Sequence, residues 1–412
     1  MAQTILYLII GFILLEFLFS KWLSLLNRAT WDKPIPAELA DVYDAEKFEK
    51  AKAYAKENER VSVISSAISL VASLAMLLFK GFAFVDQWAG TISSNAILKG
   101  LIFFGVLSVG NFLIGLPFQL YSTFVIEEKY GFNKTTVATF ISDLLKSTVL
   151  GIIIGGGLYS LLCFLFGTLG DSFWIVAWAV VAGFSLFMAM FYTSILLPLF
   201  NKLVPLEEGE LRANIEEYAQ RVGFPLTNIF IMDGSKRSTK ANAFFSGLGS
   251  KKNIVLFDTL VNEMTQDEIT AVLAHEVGHY KKKHITKSII ISILQMGLLF
   301  FVFGWMAKSP LMADVLGASE NSFHLALITF SLIFSPISLV TGIFGNLYSR
   351  KNEYEADAFA KDTFSALPLI SALKKMTVNH LSNPQPHPYY IFVHYSHPTL
   401  LQRMKALGGL GV

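Results

Sequence analysis

The chain has 412 residues, 53% of them hydrophobic and only 16% charged, with a mean hydropathy of +0.52; soluble proteins carry about a quarter charged residues, so a wholly aqueous protein is excluded. The net charge of +2 supplies no basic field, and no nucleic-acid partner is expected. Cys163 is the lone cysteine and lies inside an apolar run, which excludes an intramolecular disulfide and a cysteine-built zinc site, so any metal must be held by His and carboxylate.

A spanning helix needs about 20 mostly apolar residues. Runs of that kind lie near 3–25, 62–88, 97–120, 147–169, 173–203, 286–307 and 323–346, which predicts seven spans. The first lacks a basic n-region and a small-residue cleavage signature and reads as a retained span rather than a signal peptide. The second carries Lys80 near its end, and the fifth is long enough to tilt or to leave the bilayer. Lys and Arg concentrate after the first span (Arg28 to Arg60), after the third (Lys129, Lys134) and after the fifth. The charge bias therefore places the N-terminus outside, with the 205–285 segment and the C-terminal tail together on the cytoplasmic side. The expected organisation is a membrane region 1–204 with five spans, a metallopeptidase domain 205–285, two further spans in 286–346, and a C-terminal segment 347–412 that completes the metal site.

The 205–285 segment reads as a small mixed aqueous domain. ELRANIEEYAQRVG has helical spacing and ends at Gly223, NIFIMD and NIVLF are short strand-like runs, and GSKRSTK and GLGSKK are turn-like. A helix is predicted from about Thr265, where Thr265-Gln-Asp-Glu268 matches the capping-box pattern. That helix carries His-Glu-Val-Gly-His at 275–279. His275 and His279, four residues apart, project from one face and can share a metal ion, and Glu276 beside them is placed to act as general base on an attacking water.

Two ligands do not make a catalytic zinc site, which takes three from the protein. Glu353, just after the seventh apolar run, is the candidate third ligand. Asp357, one helical turn on, is the candidate acceptor for a ligand histidine's other ring nitrogen. Glu355 is a rival ligand on a different face of the same helix. His284, which follows three lysines, reads as part of a solvated basic patch, and His324, His380, His387 and His394 read as structural.

On these residues the chain resembles the type I CAAX prenyl proteases, integral-membrane zinc metalloendopeptidases. HEVGH and the Glu353-Tyr-Glu-Ala-Asp357 run look like that family's zinc motifs, and FVIEEKYGFNK (124–134), MDGSKRS (232–238), NAFFSG (242–247) and HYSHP (394–398) are similar to further family blocks. The resemblance implies a mainly α, seven-span helical barrel around a large water-filled chamber, with a small α/β zincin-like cytoplasmic domain. In that architecture Glu16, Lys80, Lys99 and Asn111 would face the chamber or, for the lysines, reach the interface. It also implies one Zn2+ per chain, a substrate-binding role for Asn242 at a strand edge, oxyanion stabilisation by His397, and an orienting role for Arg403. The expected substrate is a peptide or protein segment admitted to the chamber, either a prenylated CAAX C-terminus or a target of membrane-protein quality control. The chain is expected to act as a monomer in the bilayer: a bacterial-type relative in an inner membrane, or an endoplasmic reticulum protein if eukaryotic. The competing reading from a different class is a transporter or channel with a structural zinc, for which Glu276 would be superfluous.

Overall fold

The computed structural model describes residues 1–246 and 252–408. Most of the GLGSKK turn, Gly247 of the NAFFSG block and the last four residues lie outside the described residues.

Among the described residues, six helical stretches are long and apolar enough to cross a membrane: Ala2–Asp32, Ala45–Leu78, Ala96–Glu127, Val137–Phe200, His284–Met306 and Phe323–Thr363. They contain the helices α1 (Ala2–Ala29), α2 (Ala45–Leu78), α4 (Ala96–Tyr121), α5 (Val137–Leu150), α6 (Gly157–Leu169), α7 (Phe173–Phe191), α8 (Leu197–Phe200), α12 (His284–Met306) and α14 (Phe323–Thr363). The expected fourth and fifth runs thus fall within one stretch of 64 residues. It is bent at Gly170, whose φ of 56° reverses the chain between α6 and α7.

The expected run 62–88 is broken. α2 stops at Leu78, Lys80 takes the left-handed conformation (φ 55°), and a separate short helix α3 (Gly81–Ile92) follows. Lys80 is exposed at this break, and its methylenes lie over Gly317, which has no side chain to obstruct them. Lys99, at the start of α4, pairs with the buried Asp86 of α3 at 2.8 Å, and the same carboxylate oxygen accepts from His324 Nε2 at 2.6 Å. These groups are fixed by one another because an unpaired charge there would be costly.

The aqueous part is built on a four-stranded sheet of order β1-β2-β4-β3, with β1 at Leu203–Pro205, β2 at Leu226–Met232, β3 at Ala243–Ser246 and β4 at Lys252–Phe257. β2 and β4 are parallel, and β3 runs antiparallel to β4 as an edge strand. Around it lie α9 (Glu210–Arg221), α10 (Asp258–Glu263) and α11 (Gln266–Lys281), while α13 (Leu311–Asp314) sits at the opposite end of the molecule, before α14. The chain closes with α15 (Ala366–Asn379), α16 (Pro388–His394) and α17 (Leu400–Leu407).

One apolar core unites segments far apart in sequence: Trp31, Tyr43 and Phe48 after α1, Ile126 and Phe132 after α4, the sheet and α11, and Leu369 through Leu407. Two other cores, around Phe103 and Phe303, hold the opposite ends of the spans together. The stretches rich in Lys and Arg are therefore packed on one face, with α11 and the end of α14 at its centre.

Candidate metal centre

α11 starts where its sequence says it should. Thr265 Oγ1 accepts from the Glu268 backbone N–H, and Glu268 returns a 2.8 Å bond to the Thr265 N–H, so two otherwise orphaned helix-end donors are satisfied. Ser371 and Lys375 of α15 also bond Glu268, which ties the helix start to the C-terminal segment. Along α11, His275 and His279 face α14. Gly278 lies between them at the helix crossing: a Cβ there would stand 2.9 Å from Ala356 Cα and 3.0 Å from Ala356 O. Glycine is what lets the backbone of α14 come close enough for Glu353 to reach both histidines.

The ligating atoms of His275, His279 and Glu353 lie within 4.8 Å of one another. The two Nε2 atoms approach to 3.2 Å, and Glu353 oxygens lie 3.4 Å from His275 Nε2 and 3.3 Å from His279 Nε2. Each histidine's other nitrogen is already engaged: His275 Nδ1 with Asp357 Oδ1 at 2.8 Å, His279 Nδ1 with His284 Nδ1 at 3.0 Å. Lone pairs on both Nε2 atoms therefore point at one place, beside a carboxylate whose Oε2 is buried and makes no hydrogen bond. Converging lone pairs and an orphaned anionic oxygen repel unless a cation lies between them, so this donor set fits a divalent metal. His275 shows the same demand. Burial opposes its protonation, but the Asp357 bond and the Glu353 carboxylate outweigh that and push it up to about 9.

Arg403 of α17 completes the surroundings. Its Nε donates to Asp357 Oδ2 at 2.8 Å, a second nitrogen bonds Asp357 Oδ1, and a third lies 3.7 Å from Glu353. Arg403 is buried, and its pairing with Asp357 holds the carboxylate that orients His275. Glu276, next to His275 on α11, borders a small cavity with Ala243, Phe244 and Phe245 of the edge strand. Burial raises its carboxyl above the ordinary range, against the opposing pull of His275 and His279. A base with a raised pKa beside a metal position and an edge strand is suited to taking a proton from water.

The two remaining candidates flank this cluster. His397 Nε2 is 3.4 Å from Glu353 Oε1, with 63% of its side chain exposed. Arg350 fixes its approach by bonding the carbonyls of Ile391 and Tyr395, and Asn346 bonds the Val393 carbonyl. Asn242 immediately precedes β3; its carbonyl accepts from the Phe257 N–H at 3.0 Å and its exposed side chain bonds the Ala243 N–H. Behind it, Glu127 accepts from Tyr54 and from Lys240 at 3.0 Å, Arg237 makes a bidentate pair with Asp143, and the Thr239 N–H donates to the Phe132 carbonyl. The blocks 124–134 and 232–238 are thus the support for the chain entering β3.

His284 was misread and Gly278 escaped the sequence reading, while Glu355 lies on the different face expected of it. His284 is no solvated basic residue but 3% exposed, bonded to His279 on one side and to Glu355 on the other. Glu355 accordingly faces His284 rather than the metal position. Gly278 was legible only as part of a motif, since its neighbour across the crossing is 78 residues away in sequence.

The N-terminal 25–202 match a family model described as "CAAX prenyl protease N-terminal, five membrane helices", and 205–410 match "Peptidase family M48". The CAAX prenyl protease 1 homolog of Oryza sativa is 34% identical, covering 99% of this chain and 98% of its own length. CAAX prenyl protease 1 of Saccharomyces cerevisiae is 36% identical over 97% of this chain and 94% of its own. A crystal structure of S. mikatae Ste24p superposes with a TM-score of 0.91 at 36% identity, covering 98% of both chains. These relatives are eukaryotic and lend no support to a bacterial-type assignment, and the transporter or channel reading is not favoured. The chain belongs to the CAAX prenyl protease 1 family, multi-pass membrane metalloproteases of peptidase family M48.

Proposed function

We propose that the protein is a zinc endopeptidase of the endoplasmic reticulum membrane that cleaves near the C-terminus of prenylated CAAX substrates. The observation that carries this reading is the set of buried His275, half-buried His279 and buried Glu353, with Glu276 facing an edge strand, in a chain whose relatives are named for prenyl-protein processing. Zinc would supply Lewis-acid polarisation of the scissile carbonyl and activation of water near neutral pH. The chain's own residues do the rest. The outer edge of β3, entered from Asn242, pairs with an extended peptide; Glu276 takes the attacking water's proton and delivers it to the leaving amine; His397 donates to the oxygen that gains charge.

Seven crossings, with the active site on the cytoplasmic side, fit the reversal at Gly170. At 1.5 Å per residue, the 64-residue stretch is about three times the hydrocarbon thickness. Little of the most apolar part of each span is buried inside the protein, which fits spans that wall a chamber. The domain divisions at 204, 285 and 346 follow the same architecture, and a single chain carries a complete set of candidate site residues, consistent with a monomer.

The test compares Glu276→Gln with wild type. Glu276→Gln should retain one zinc per chain and lose peptide cleavage. Matched prenylated and unprenylated CAAX peptides then examine the substrate: equal rates would remove the prenyl assignment and leave a general membrane protease acting in quality control.

A further inference from the structure

The two ligand histidines are held differently. His275 is oriented directly by a carboxylate, Asp357. His279 has no carboxylate in that place: its Nδ1 meets another imidazole, His284 Nδ1, at 3.0 Å, and His284 Nε2 in turn lies 3.1 Å from Glu355 Oε2. The contact is built by the Lys-Lys-Lys turn. α11 ends at Lys281, Lys283 adopts the left-handed conformation (φ 59°), and α12 starts at His284, so the chain folds back and lays His284 against His279. A lysine in that conformation costs of order 1 kcal/mol, which the surrounding structure must offset.

Protons fix the direction of the chain of bonds. His279 offers Nε2 to the metal position, so its Nδ1 carries the hydrogen. His284 Nδ1 must then accept, and its hydrogen sits on Nε2, where Glu355 takes it. Each ring has one tautomer, and each tautomer is dictated by the next partner. We propose that His284 and Glu355 are positioning residues for His279, forming a His279–His284–Glu355 relay that keeps the His279 Nε2 lone pair aimed at the metal. Three carboxylates, Glu276, Glu353 and Asp357, already belong to the centre; interposing an imidazole keeps a fourth one ring further away. His284 is 3% exposed, whereas Lys351, 3.9 Å from the far oxygen of Glu355, is exposed and peripheral.

This inference rests on the metalloprotease reading, and its test uses the full-length purified chain with zinc, or cobalt(II) as spectroscopic probe, rather than peptidase activity. His284→Phe keeps an aromatic ring but removes the acceptor; the dissociation constant for zinc, measured by chelator competition, should rise roughly 10–100-fold, and the cobalt absorption bands should shift. His284→Asn places its amide oxygen near the position of Nδ1 and should recover most of the affinity. Glu355→Ala should weaken zinc binding by less than His284→Phe, and Lys351→Ala should leave it unchanged. Wild-type zinc affinity and an unchanged cobalt spectrum in His284→Phe would overturn the relay. If that variant does not fold, Glu355→Ala decides, and wild-type affinity there would overturn it equally. A wild-type chain that binds neither metal would instead sink the metalloprotease reading and the relay with it.

Discussion

Gly278→Ala separates stability from metal geometry. The added Cβ would stand 2.9 Å from Ala356 Cα, 3.0 Å from Ala356 O and 3.2 Å from Phe359 Cβ, against an ordinary contact of 3.4 Å or more. Two of these atoms are backbone, so no side chain can swing away and the helices must part by about 0.5 Å. Alanine improves helix propensity by about 1 kcal/mol, while overpacking costs about 1–3 kcal/mol; the net loss of stability is about 0–2 kcal/mol. Metal sites tolerate far less displacement, with ligand distances held to about 0.2 Å. Since His275 and His279 ride on α11 and Glu353 on α14, the variant should melt within several degrees of wild type. It should nevertheless bind zinc at least ~10-fold more weakly and lose a similar factor in kcat/KM. Chelator competition, thermal melting and peptide cleavage measure the three quantities. A Gly278→Ala protein with wild-type zinc affinity and turnover would refute the claim that this close crossing sets the ligand geometry.

Glu268 gives the protein a specific acid sensitivity. Burial works against its ionisation, but Lys375, Ser371 and the Thr265 N–H outweigh it, so the folded carboxyl titrates below its ordinary value of 4.5. A depressed folded pKa means this contribution is complete above the unfolded value and is lost as pH falls through the folded one. Melting temperature should therefore drop on acidification below about pH 4.5, and Glu268→Gln, whose amide can still close the capping box, should be less stable at neutral pH by about 1 kcal/mol for the lost charge pairing with Lys375, with a flatter acid limb. His397→Ala should lower kcat by roughly 10²–10³-fold if the ring stabilises developing negative charge, while zinc content stays at the wild-type level. Loss of the metal in that variant would assign His397 to metal retention instead.

The spacing of His275, Glu276 and His279, the capping box at Thr265 and the apolar runs were legible in the sequence because each is local: helix periodicity alone puts residues four apart on one face, and hydrocarbon thickness alone sets span length. Asp357 could also be proposed from its one-turn spacing to Glu353. What periodicity cannot report is which helix faces which. The break at Lys80 followed from a left-handed residue that no apolar count registers, and Lys99 turned out to be paired with Asp86, whose carboxylate also bonds His324, so that three elements are joined. His284 was misread for the same reason. Three lysines mark a solvated segment, yet the turn they form carries the next residue back into the centre.

The sequence by itself determined the membrane class and singled out the candidate ligand pair and the candidate base, since composition and short-range spacing are properties of the chain before it folds. Only the tertiary structure decided how the ligands converge: Gly278 admits α14, Arg403 anchors Asp357 on His275, and His284 faces His279. Those relations join residues up to 128 positions apart, and they arise from close packing and the pairing of buried polar groups, which depend on the folded neighbours of each residue and not on its place in the chain.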